Sequence, residues 1–320
     1  MADSAGRITL WGIEVFAATA DEQSVSAAAR RLGASPSSVS QQLSNLEAAL
    51  GCALLNRRER PVTLTAAGHV MRRRANVILN EAAQARAEIA ALGTGALTQL
   101  RLGVIEDFDA ELTPRLLSHM AGDLEGAQFL LETGPSHRLF DQLDTRALDV
   151  VVAADMGAAA AWMEVHPLLQ EPFVVAAPKG AIDPAQALDQ LSQLPLIQYS
   201  ARHYMGRQIA DHLARQNLTL SHRFELDSYR AIMALVAGGA GWTILTVTGV
   251  SQARRFHDAI DILPLPFAPL MRTISLSARR DILGDMPAQI AGRIRHLLDE
   301  LIVAPNLARH PWMKEPLQVL

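Results

Sequence analysis

The chain has 320 residues, of which 49% are hydrophobic and 19% charged, so it can bury a sizeable core and should hold two or three domains. Neither a basic-then-apolar leader nor an uncharged run of about 18 apolar residues occurs, so we expect neither export nor a membrane span. The single cysteine, Cys52, excludes an intramolecular disulfide and a cysteine-rich zinc site, and it favours a reducing cytoplasm.

Charge is distributed unevenly along the chain, whose formal net charge is −4. Residues 1–92 carry ten Arg against eight acids, a net charge of +2, whereas residues 93–320 carry 19 basic against 25 acidic residues, a net charge of −6. Because charges are screened over about 8 Å at physiological salt, bound DNA would respond to nearby arginines and not to a distant acidic domain. The acidic total therefore does not exclude a nucleic-acid partner.

The first predicted elements are two short helices joined by a tight turn within residues 26–51. Three successive alanines, 27–29, give the first helix a surface small enough for close packing, and Gly33 supplies the left-handed residue that a sharp turn needs. Ser35 is placed to cap the second helix, and Pro36 occupies its first position, where a missing N–H costs nothing. This pattern predicts two helices that cross steeply.

The second helix has an outward face that is polar yet almost uncharged. Its apolar stripe has spacings of four, three and four and consists of Val39, Leu43, Leu46 and Leu50. The opposite face, which we call the reading face, consists of Ser37, Ser38, Ser40, Gln41, Gln42, Ser44 and Asn45. Hydroxyls and amides suit base edges in a major groove, where a carboxylate would be repelled by the phosphates. We therefore predict DNA contacts by Ser35, Ser37, Ser38, Ser40, Gln41 and Gln42. The alternative is a plain helical hairpin in a core.

An arginine-rich segment follows the second helix. Three arginines precede a short β-branched run at 62–64, which predicts a β-turn or wing beside the helices. Over residues 57–74 six Arg stand against one acid, a local net charge of +5. We expect phosphate contacts from the first three, Arg57, Arg58 and Arg60, the alternative being a solvated run of charge.

Residues 65–92 form a long helical pattern that Thr65 is placed to cap. Its apolar residues alternate at spacings of four and three, as in a heptad seam, and its alanines would let two helices approach closely. We predict a dimer interface, because paired half-sites are the usual solution for a helix-turn-helix, while the alternative is a helix packed on its own domain. The predicted interface residues are Met71, Ala75, Ile78, Ala82, Ala85, Ile89 and Leu92.

Beyond this helix, apolar β-like runs alternate with helical stretches. The β-like runs are 100–105, 129–131, 150–153, 173–177, 196–199, 243–245 and 273–276. The helical stretches include 112–120, 139–143, 209–213, 229–236 and 290–301. Such alternation predicts parallel α/β units with both sheet faces covered, and a ligand beyond the carboxyl ends of the strands.

The chain resembles the LysR-type transcriptional regulators over nearly its whole length. In the amino-terminal part the matching residues are Phe16, Ser26-Ala27-Ala28-Ala29, Arg31-Leu32, Ser35, Val39-Ser40, Leu43, Leu46-Glu47, Leu50-Gly51, Leu64-Thr65 and Ala67-Gly68. In the carboxyl-terminal part they are Leu102-Gly103, Gly134, Leu148-Asp149 and Val236-Ala237-Gly238-Gly239-Ala240-Gly241. The resemblance implies a winged helix-turn-helix, a linker helix that pairs two chains, and a two-lobed effector domain similar to periplasmic solute-binding proteins.

We therefore expect an α/β protein with an all-α amino-terminal part. The expected order is a winged helix-turn-helix DNA-binding domain at 1–64, a dimerisation helix at 65–92, a hinge at 93–98, an effector-binding regulatory domain at 99–302, and a proline-punctuated tail of unassigned role at 303–320. The function expected is that of a cytoplasmic regulator, not an enzyme, which binds a double-stranded operator and a small-molecule effector. It should form homodimers or, as is common in the family, homotetramers. The alternative is a solute-binding or oligomerisation module that does not recognise DNA.

The second helix departs from the family pattern in two places. Residues 36 and 37 read Pro-Ser where members often have Gln-Pro, and Gln41 stands where Arg is frequent. A guanidinium favours the O6 and N7 acceptors of guanine, whereas an amide pairs with adenine, so we expect the operator to differ accordingly.

By resemblance, the effector cleft lies between the two lobes, beside the loop Glu106-Asp107-Phe108-Asp109. Adjacent carboxylates favour a cationic or amine-bearing effector, and Phe108 could add a ring face. The alternative is that Asp107 or Asp109 caps the next helix while Glu106 is merely solvated. Other positions that match cleft-facing loops are Ser136, Tyr199, Ser200 and Thr246.

Signals of catalysis, nucleotide binding or metal binding are missing from the sequence. The glycine cluster at 238–241 precedes a strand and follows a helix, the reverse of a dinucleotide fingerprint, and no phosphate-loop Lys-Ser/Thr motif occurs. The ten histidines are scattered without a two-His helical zinc motif, and no Gly-x-Ser-x-Gly elbow is present. We expect neither a cofactor nor a metal.

Overall fold

A computed structural model describes residues 7–90, 99–124, 126–218 and 220–320. The chain divides into two units, Met1–Gln99 with Gln142–Leu148 and Leu100–Asp141 with Asp149–Leu320. Leu92 and the predicted hinge at 93–98 lie outside the described residues. Across the described ranges, every helix is too short or too polar to cross a bilayer.

The first unit is a winged helix-turn-helix, as predicted. Its helices are α1 Leu10–Glu22, α2 Val25–Arg31, α3 Pro36–Leu50 and α4 Ala66–Ala90. Strands β1 Leu55–Asn56 and β2 Thr63–Leu64 pair antiparallel and form the wing between α3 and α4.

The local signals for the turn and caps of this unit are confirmed. Gly33 has φ +62° in the turn between α2 and α3. The Ser38 N–H donates to Ser35 Oγ at 3.1 Å, so the serine caps α3, whose first position is Pro36. Thr65 caps α4 in the same way, because its Oγ1 accepts the Gly68 N–H at 3.0 Å.

The first half of α4 packs on the core of its own unit, which corrects part of the predicted dimer seam. Ala75 has no exposed surface and lies in the cluster with Phe16 and Leu43, and Met71 packs against that cluster. Arg72 holds α4 to α1 by an ion pair with Asp21. A seam at spacings of four and three can pack on its own chain as well as on a second chain. Here its first two residues, Met71 and Ala75, pack on the core that α1 helps to form. The later positions have more exposed surface; they are Ile78, Ala82, Ala85 and Ile89.

The rest of the chain alternates strands and helices. The strands are β3 Gln99–Val104, β4 Gln128–Thr133, β5 Val150–Ala154, β6 Met163–Pro178, β7 Leu196–Tyr199, β8 His222–Leu226, β9 Thr243–Thr246, β10 Ile260–Pro264, β11 Met271–Arg279 and β12 Gln318–Val319. The helices are α5 Leu112–Asp123, α6 Ser136–Asp144, α7 Ala187–Gln193, α8 Tyr204–Arg215, α9 Tyr229–Ala237, α10 Val247–Ser251, α11 Met286–Leu298 and α12 Ala304–Arg309. Short 3₁₀ turns include Glu106–Phe108, Arg254–Ala259 and Pro311–Lys314, and Asp299–Val303 is a π-helical turn.

The sheet of the second unit is mixed, which corrects in part the expectation of parallel α/β units. Its strand order is β10-β6-β11-β5-β3-β4, with β9 and β12 also paired to β6. Strands β3 and β5 are parallel, as are β7 and β8 in a separate pair, but β6 runs antiparallel to β9, β10, β11 and β12. The sequence pattern marked only 173–177 of β6, because the prolines at 167 and 172 interrupt its earlier part.

Strand β6 joins the two halves of this unit. Its first part, to Pro172, pairs with β11, and its last part, from Phe173, pairs with β9 and β10. Glu171 lies at the change-over and is the cross-strand partner of Arg272 on β11.

The tail is integrated into the second unit. Helix α12 and the Pro311–Lys314 turn lead to β12, which pairs with β6 opposite Leu169 and Gln170. Met313 and Leu317 are each only 1% exposed, so this segment contributes to the core.

Candidate functional site

The reading face of α3 points away from the core of the first unit. Val39, Leu43 and Leu46 bury the opposite side of the helix. The predicted contact residues are exposed at Ser35, Ser37, Ser38 and Gln41 and half-buried at Ser40 and Gln42.

Hydrogen bonds along α3 hold part of this face in place. Gln41 Nε2 donates to Asn45 Oδ1 at 2.9 Å, and the hydroxyls of Ser35 and Ser37 lie 2.9 Å apart. Ser44 Oγ donates to Ser40 O at 3.0 Å. The face therefore offers amide and hydroxyl groups that can exchange these weak local partners for base edges.

Arginines of the wing stand beside the end of α3. Arg57 forms an ion pair with Glu47 and donates to Ser44 Oγ at 3.2 Å. Glu47 also accepts the Leu54 N–H at 2.8 Å, so one carboxylate ties the wing to α3. Arg58 and Arg60 are exposed. Cations next to an uncharged polar helix face form a surface suited to a polyanion that is also read for sequence.

A cleft of about 410 Å³ lies within the second unit. It is bordered by the loop after β3, the start of α6, the end of β7, the first turns of α8 and α9, and β11. Four of the effector-site residues predicted from the sequence line it, namely Glu106, Asp107, Ser136 and Tyr199.

Three other predicted effector-site residues do not line the cleft. Phe108 is 1% exposed, so its ring packs in the core and is not available to a ligand. Ser200 is fully buried and donates to Glu225 Oε1 at 2.7 Å. Thr246 is also fully buried, and it caps α10 by accepting the Gly249 N–H at 3.2 Å. The family resemblance located the correct loops but not the direction of each side chain.

The floor of the cleft is a buried ion cluster centred on Arg272, a residue that the sequence analysis did not single out. Arg272 is 7% exposed and forms ion pairs with Asp107 and Glu171. Its Nε donates to Glu171 Oε1 at 2.8 Å, and its Nη2 to Thr248 Oγ1 at 2.9 Å. Its Nη1 contacts Met205 Sδ at 3.9 Å, which is a weak acceptor.

Two carboxylates thus share one guanidinium. Burial raises the pKa of the Glu171 carboxyl, against the opposing effect of Arg272. Burial alone would lower the pKa of Arg272, but the Glu171 and Asp107 carboxylates raise it, so the guanidinium stays charged. Thr248 Oγ1 lies 2.9 Å from Asp107 Oδ2 and 2.8 Å from Glu171 Oε1, so its one proton can be donated to either acid, and the Thr248 N–H donates to Glu171 Oε2 at 2.8 Å.

Tyr229 links this cluster to the cleft. Its hydroxyl donates to Asp107 Oδ1 at 3.0 Å, and burial, followed by the charge of Asp107, raises its pKa well above the ordinary value. Its ring leaves no room for a side chain at position 249, because a Cβ on Gly249 would lie 2.7 Å from Tyr229 Cε1. Tyr199 stacks at a ring distance of 5.4 Å, and burial raises its pKa to about 12.

These contacts change the interpretation of the acidic loop. The charge of Asp107 is compensated by Arg272. Contrary to the expectation from the sequence, Asp107 is therefore not a free anion that could bind an amine. The capping alternative is also wrong, because Glu111 is the cap position of α5 and no side chain makes a cap bond there. Glu106 and Asp109 are exposed at the cleft and remain available to a ligand.

One sequence signal could have identified the missed pair. Glu171 lies between the apolar segments 168–169 and 173–177, and Arg272 directly precedes the predicted strand 273–276. A lone charge beside such segments is costly to bury, so each implies a partner of opposite sign.

Comparisons with known proteins match both parts of the chain. The model described as "Bacterial regulatory helix-turn-helix protein, lysR family" matches residues 10–69. The model described as "LysR substrate binding domain" matches residues 94–302.

The chain is also similar to full-length proteins. A probable hydrogen peroxide-inducible genes activator of Mycobacterium avium is 30% identical over 93% of this chain and 97% of its own length. The DNA-binding transcriptional dual regulator OxyR of Escherichia coli K12 is 26% identical over 90% of this chain and 95% of its own length.

Solved structures share the fold. Full-length OxyR from Pseudomonas aeruginosa, a cysteine-to-aspartate variant, has a TM-score of 0.62 and 24% identity, covering 90% of this chain and 95% of its own. Full-length CbnR in complex with its target DNA has a TM-score of 0.61 and 20% identity, covering 90% and 99%.

Proposed function

The chain belongs to the LysR family of DNA-binding transcriptional regulators, and we propose that it binds its operator through α3 and the wing while a small effector occupies the cleft of the second unit. The observation that carries the DNA-binding assignment is the exposed, uncharged reading face beside Arg57, Arg58 and Arg60. A cytoplasmic location is part of this proposal, because operator DNA is found there and the single Cys52 needs no oxidising compartment.

We distinguish two kinds of proposed contact with the operator, those to base edges and those to phosphates. Gln41 is proposed to pair with a base edge, with Ser35, Ser37, Ser38, Ser40 and Gln42 contacting neighbouring bases or phosphates. Arg57, Arg58 and Arg60 are proposed to contact phosphates. The expected operator differs from those read by family members with Arg at this position, because an amide favours adenine over guanine.

Substitutions separate the two kinds of contact. Gln41→Ala should lose about 1–3 kcal/mol of discrimination between operator and random DNA, whereas Arg58→Ala should weaken both equally and reduce the salt slope by about one. Arg215→Ala, which removes an exposed charge from α8 of the second unit, is the matched control and should leave binding unchanged. The measurement is a DNA titration at several salt concentrations. Equal losses on operator and random DNA for Gln41→Ala would refute its role in base recognition.

Self-association is proposed through the exposed part of α4. Ile78 is 38% and Ile89 67% exposed, and Ala82 and Ala85 lie between them at heptad spacing. Leu92 would extend the seam. Ile89→Glu should shift the full-length protein toward monomer in sedimentation velocity, since a charge in an apolar seam is costly, and an unchanged dimer or tetramer would reject this seam.

The cleft is proposed to take a small zwitterion. Glu106 and Asp109 offer carboxylates to an amine, and Arg272 Nη1, whose contact is the Met205 sulfur, offers a donor to a carboxylate. Ser136 and Tyr199 add hydroxyls to the lining. Closure of the lobes on such a ligand would change the affinity for DNA, typically by 5–150-fold (about 1–3 kcal/mol).

A calorimetric titration tests the effector class. Free amino acids should bind, and the corresponding amines and N-acetyl derivatives, each lacking one charge, should not. Asp109→Asn should weaken binding, while Asp189→Asn, which neutralises an exposed acid on α7, should not. Binding of the N-acetyl derivatives as tightly as of the free amino acids would exclude the amine-binding role.

We infer that peroxide is not sensed here through a pair of thiols, although two relatives are named for peroxide induction or as OxyR. An intramolecular disulfide needs two cysteines, and this chain has only Cys52, which is exposed between α3 and β1 in the first unit. Hydrogen peroxide should therefore leave DNA affinity unchanged. A peroxide response that disappears in Cys52→Ser and is accompanied by a Cys52–Cys52 disulfide between two chains on a non-reducing gel would overturn this inference.

A further inference from the structure

A second cavity, of about 550 Å³, lies in the second unit between the tail and the β6–β10 strand pair. We call it the tail cavity. Its wall is apolar, with Val174, Val247, Val250, Ile262 and Met313 among its residues. Its polar lining includes Lys179, His257, Arg309 and His310. Arg309, His310 and Met313 come after residue 302, where the match to the LysR substrate binding domain ends, so residues beyond that match form part of the cavity lining.

The acids that line the tail cavity are either engaged or solvated. Asp261 Oδ1 lies 2.8 Å from Lys179 Nζ, and its Oδ2 accepts the Gly180 N–H at 2.7 Å. Asp258 is exposed to solvent. Asp261 therefore serves to hold the chain after β6 and is not free to bind a ligand.

His257 and Arg309 are hydrogen-bonded to each other at the tail cavity. His257 Nε2 lies 3.2 Å from Val250 O, and its Nδ1 lies 2.7 Å from Arg309 Nη1. A carbonyl oxygen only accepts, so His257 is the neutral Nε2–H tautomer and Arg309 donates to its other nitrogen. The guanidinium has four further N–H groups, which form a planar fork suited to a carboxylate.

His310 lies in the same electropositive surroundings. Burial and the positive charges of Arg309 and Lys179 lower the pKa of its imidazole, against the opposing effect of Asp261. Within the described ranges, the contact found for its ring is the Trp312 ring at 6.4 Å, with no hydrogen bond from either ring nitrogen. An anion in the cavity would relieve this repulsion and accept a hydrogen bond from the imidazole.

We propose that the tail cavity binds a small carboxylic acid with an apolar body. The carboxylate is held by the fork of Arg309 with His310, and the body lies against the aliphatic wall. An inorganic anion would leave that wall without a partner, and a neutral apolar molecule would leave the fork without one.

Helix α10 separates the tail cavity from the cleft. Val247 and Val250 line the tail cavity, while Thr248 of the same helix contacts Asp107 and Glu171 in the floor of the cleft. Asn306 of the tail donates to Ser251 Oγ at 3.2 Å, at the end of α10. A molecule that displaces α10 therefore changes the position of a hydroxyl that lies within hydrogen-bond distance of both buried acids.

Methionine methyl signals provide a reporter for each cavity in the full-length protein. Met313 lines the tail cavity, and Met205 lines the cleft. Benzoate, added to protein labelled with ¹³C at its methionine methyls, should shift the Met313 signal until saturation. Benzyl alcohol and inorganic phosphate, which each lack one half of the proposed ligand, should bind at least about tenfold more weakly.

Substitution of the fork completes the test. Arg309→Met keeps an apolar side chain of similar length and should weaken benzoate at least about tenfold, because the charged fork is lost. Lys314→Met removes one exposed cation from the same tail without touching the cavity and should bind benzoate like the parent. Equal binding of benzoate and benzyl alcohol, unchanged binding by Arg309→Met, or shifts at Met205 without shifts at Met313 would each overturn the proposal. None of these readouts depends on DNA binding or on the effector of the cleft.

Discussion

Replacement of Arg272 by methionine tests the buried cluster beneath the cleft. The substitution keeps an apolar stem of similar length next to Met205 but removes the cation shared by Asp107 and Glu171, whose side chains are 5% and 0% exposed. Removing one partner of a buried ion pair costs about 3–5 kcal/mol, because a desolvated charge is left behind. Two acids are left here, so we expect Arg272→Met to lie in the upper part of that range at neutral pH.

The pH dependence of that loss follows from the sign of the pKa change. Burial already raises the pKa of the Glu171 carboxyl, and without Arg272 it must rise further. The folded variant then binds a proton more tightly than the unfolded chain. Lowering the pH should therefore reduce the difference in the free energy of unfolding between Arg272→Met and the parent protein. Glu171→Gln in the Arg272→Met background should likewise recover part of the loss at neutral pH.

Urea denaturation followed by tryptophan fluorescence measures these differences, since Trp242 is buried in the second unit. Arg272→Lys is the matched control, because it keeps the charge and loses only the forked geometry. A loss below about 1 kcal/mol for Arg272→Met, or no recovery on adding Glu171→Gln, would refute the view that Arg272 is needed to neutralise these acids.

Three further predictions concern single contacts. Gly249→Ala should lower the free energy of unfolding by about 1–3 kcal/mol, because its Cβ would lie 2.7 Å from Tyr229 Cε1. The control is Gly292→Ala, whose Cβ meets nothing within 4 Å and which should be neutral or stabilising. Thermal denaturation measures both. Similar melting temperatures for the two would contradict this. In His310→Gln, the loss of stability on going from about pH 7.5 to about pH 5.5 should be smaller than in the parent protein. The reason is that the lowered pKa of His310 makes the folded state bind the proton less tightly than the unfolded chain does. Identical profiles of stability against pH for the two proteins would count against this role of His310. Thr65→Ala should destabilise the first unit by about 1–2 kcal/mol through loss of the α4 cap, with Thr65→Ser near the parent, and equal melting of both would exclude a capping role.

Local interactions explain which features could be predicted from the sequence. The cap at Ser35, the left-handed Gly33 and the apolar stripe of α3 depend on residues within a few positions of each other, and all three are confirmed. The loops that border the cleft were located through the resemblance to the LysR-type regulators, because no local pattern marks which loops face a ligand.

Long-range pairings explain what was missed. Arg272 and Glu171 are 101 residues apart in the chain, and only the antiparallel register of β6 and β11 brings them together. Side-chain direction in a loop is equally invisible to the pattern, so Phe108 was expected in the cleft although its ring is buried. In α4 the spacing of apolar residues is the same whether the helix packs on its own core or against a second subunit. Ala75 has that spacing and is buried in the core of its own unit.

Cys52 has a practical consequence for measuring how two chains would sit on an operator. It is exposed, it directly follows Gly51 at the carboxyl-terminal end of α3, and the sequence contains no second thiol. A maleimide spin label would attach at one position per chain without any engineered change. In a dimer, dipolar spectroscopy would then measure the distance between the two labels, and hence between the two α3 helices. Comparing this distance with and without ligand would show whether the ligand changes the spacing of the helices proposed to enter the grooves.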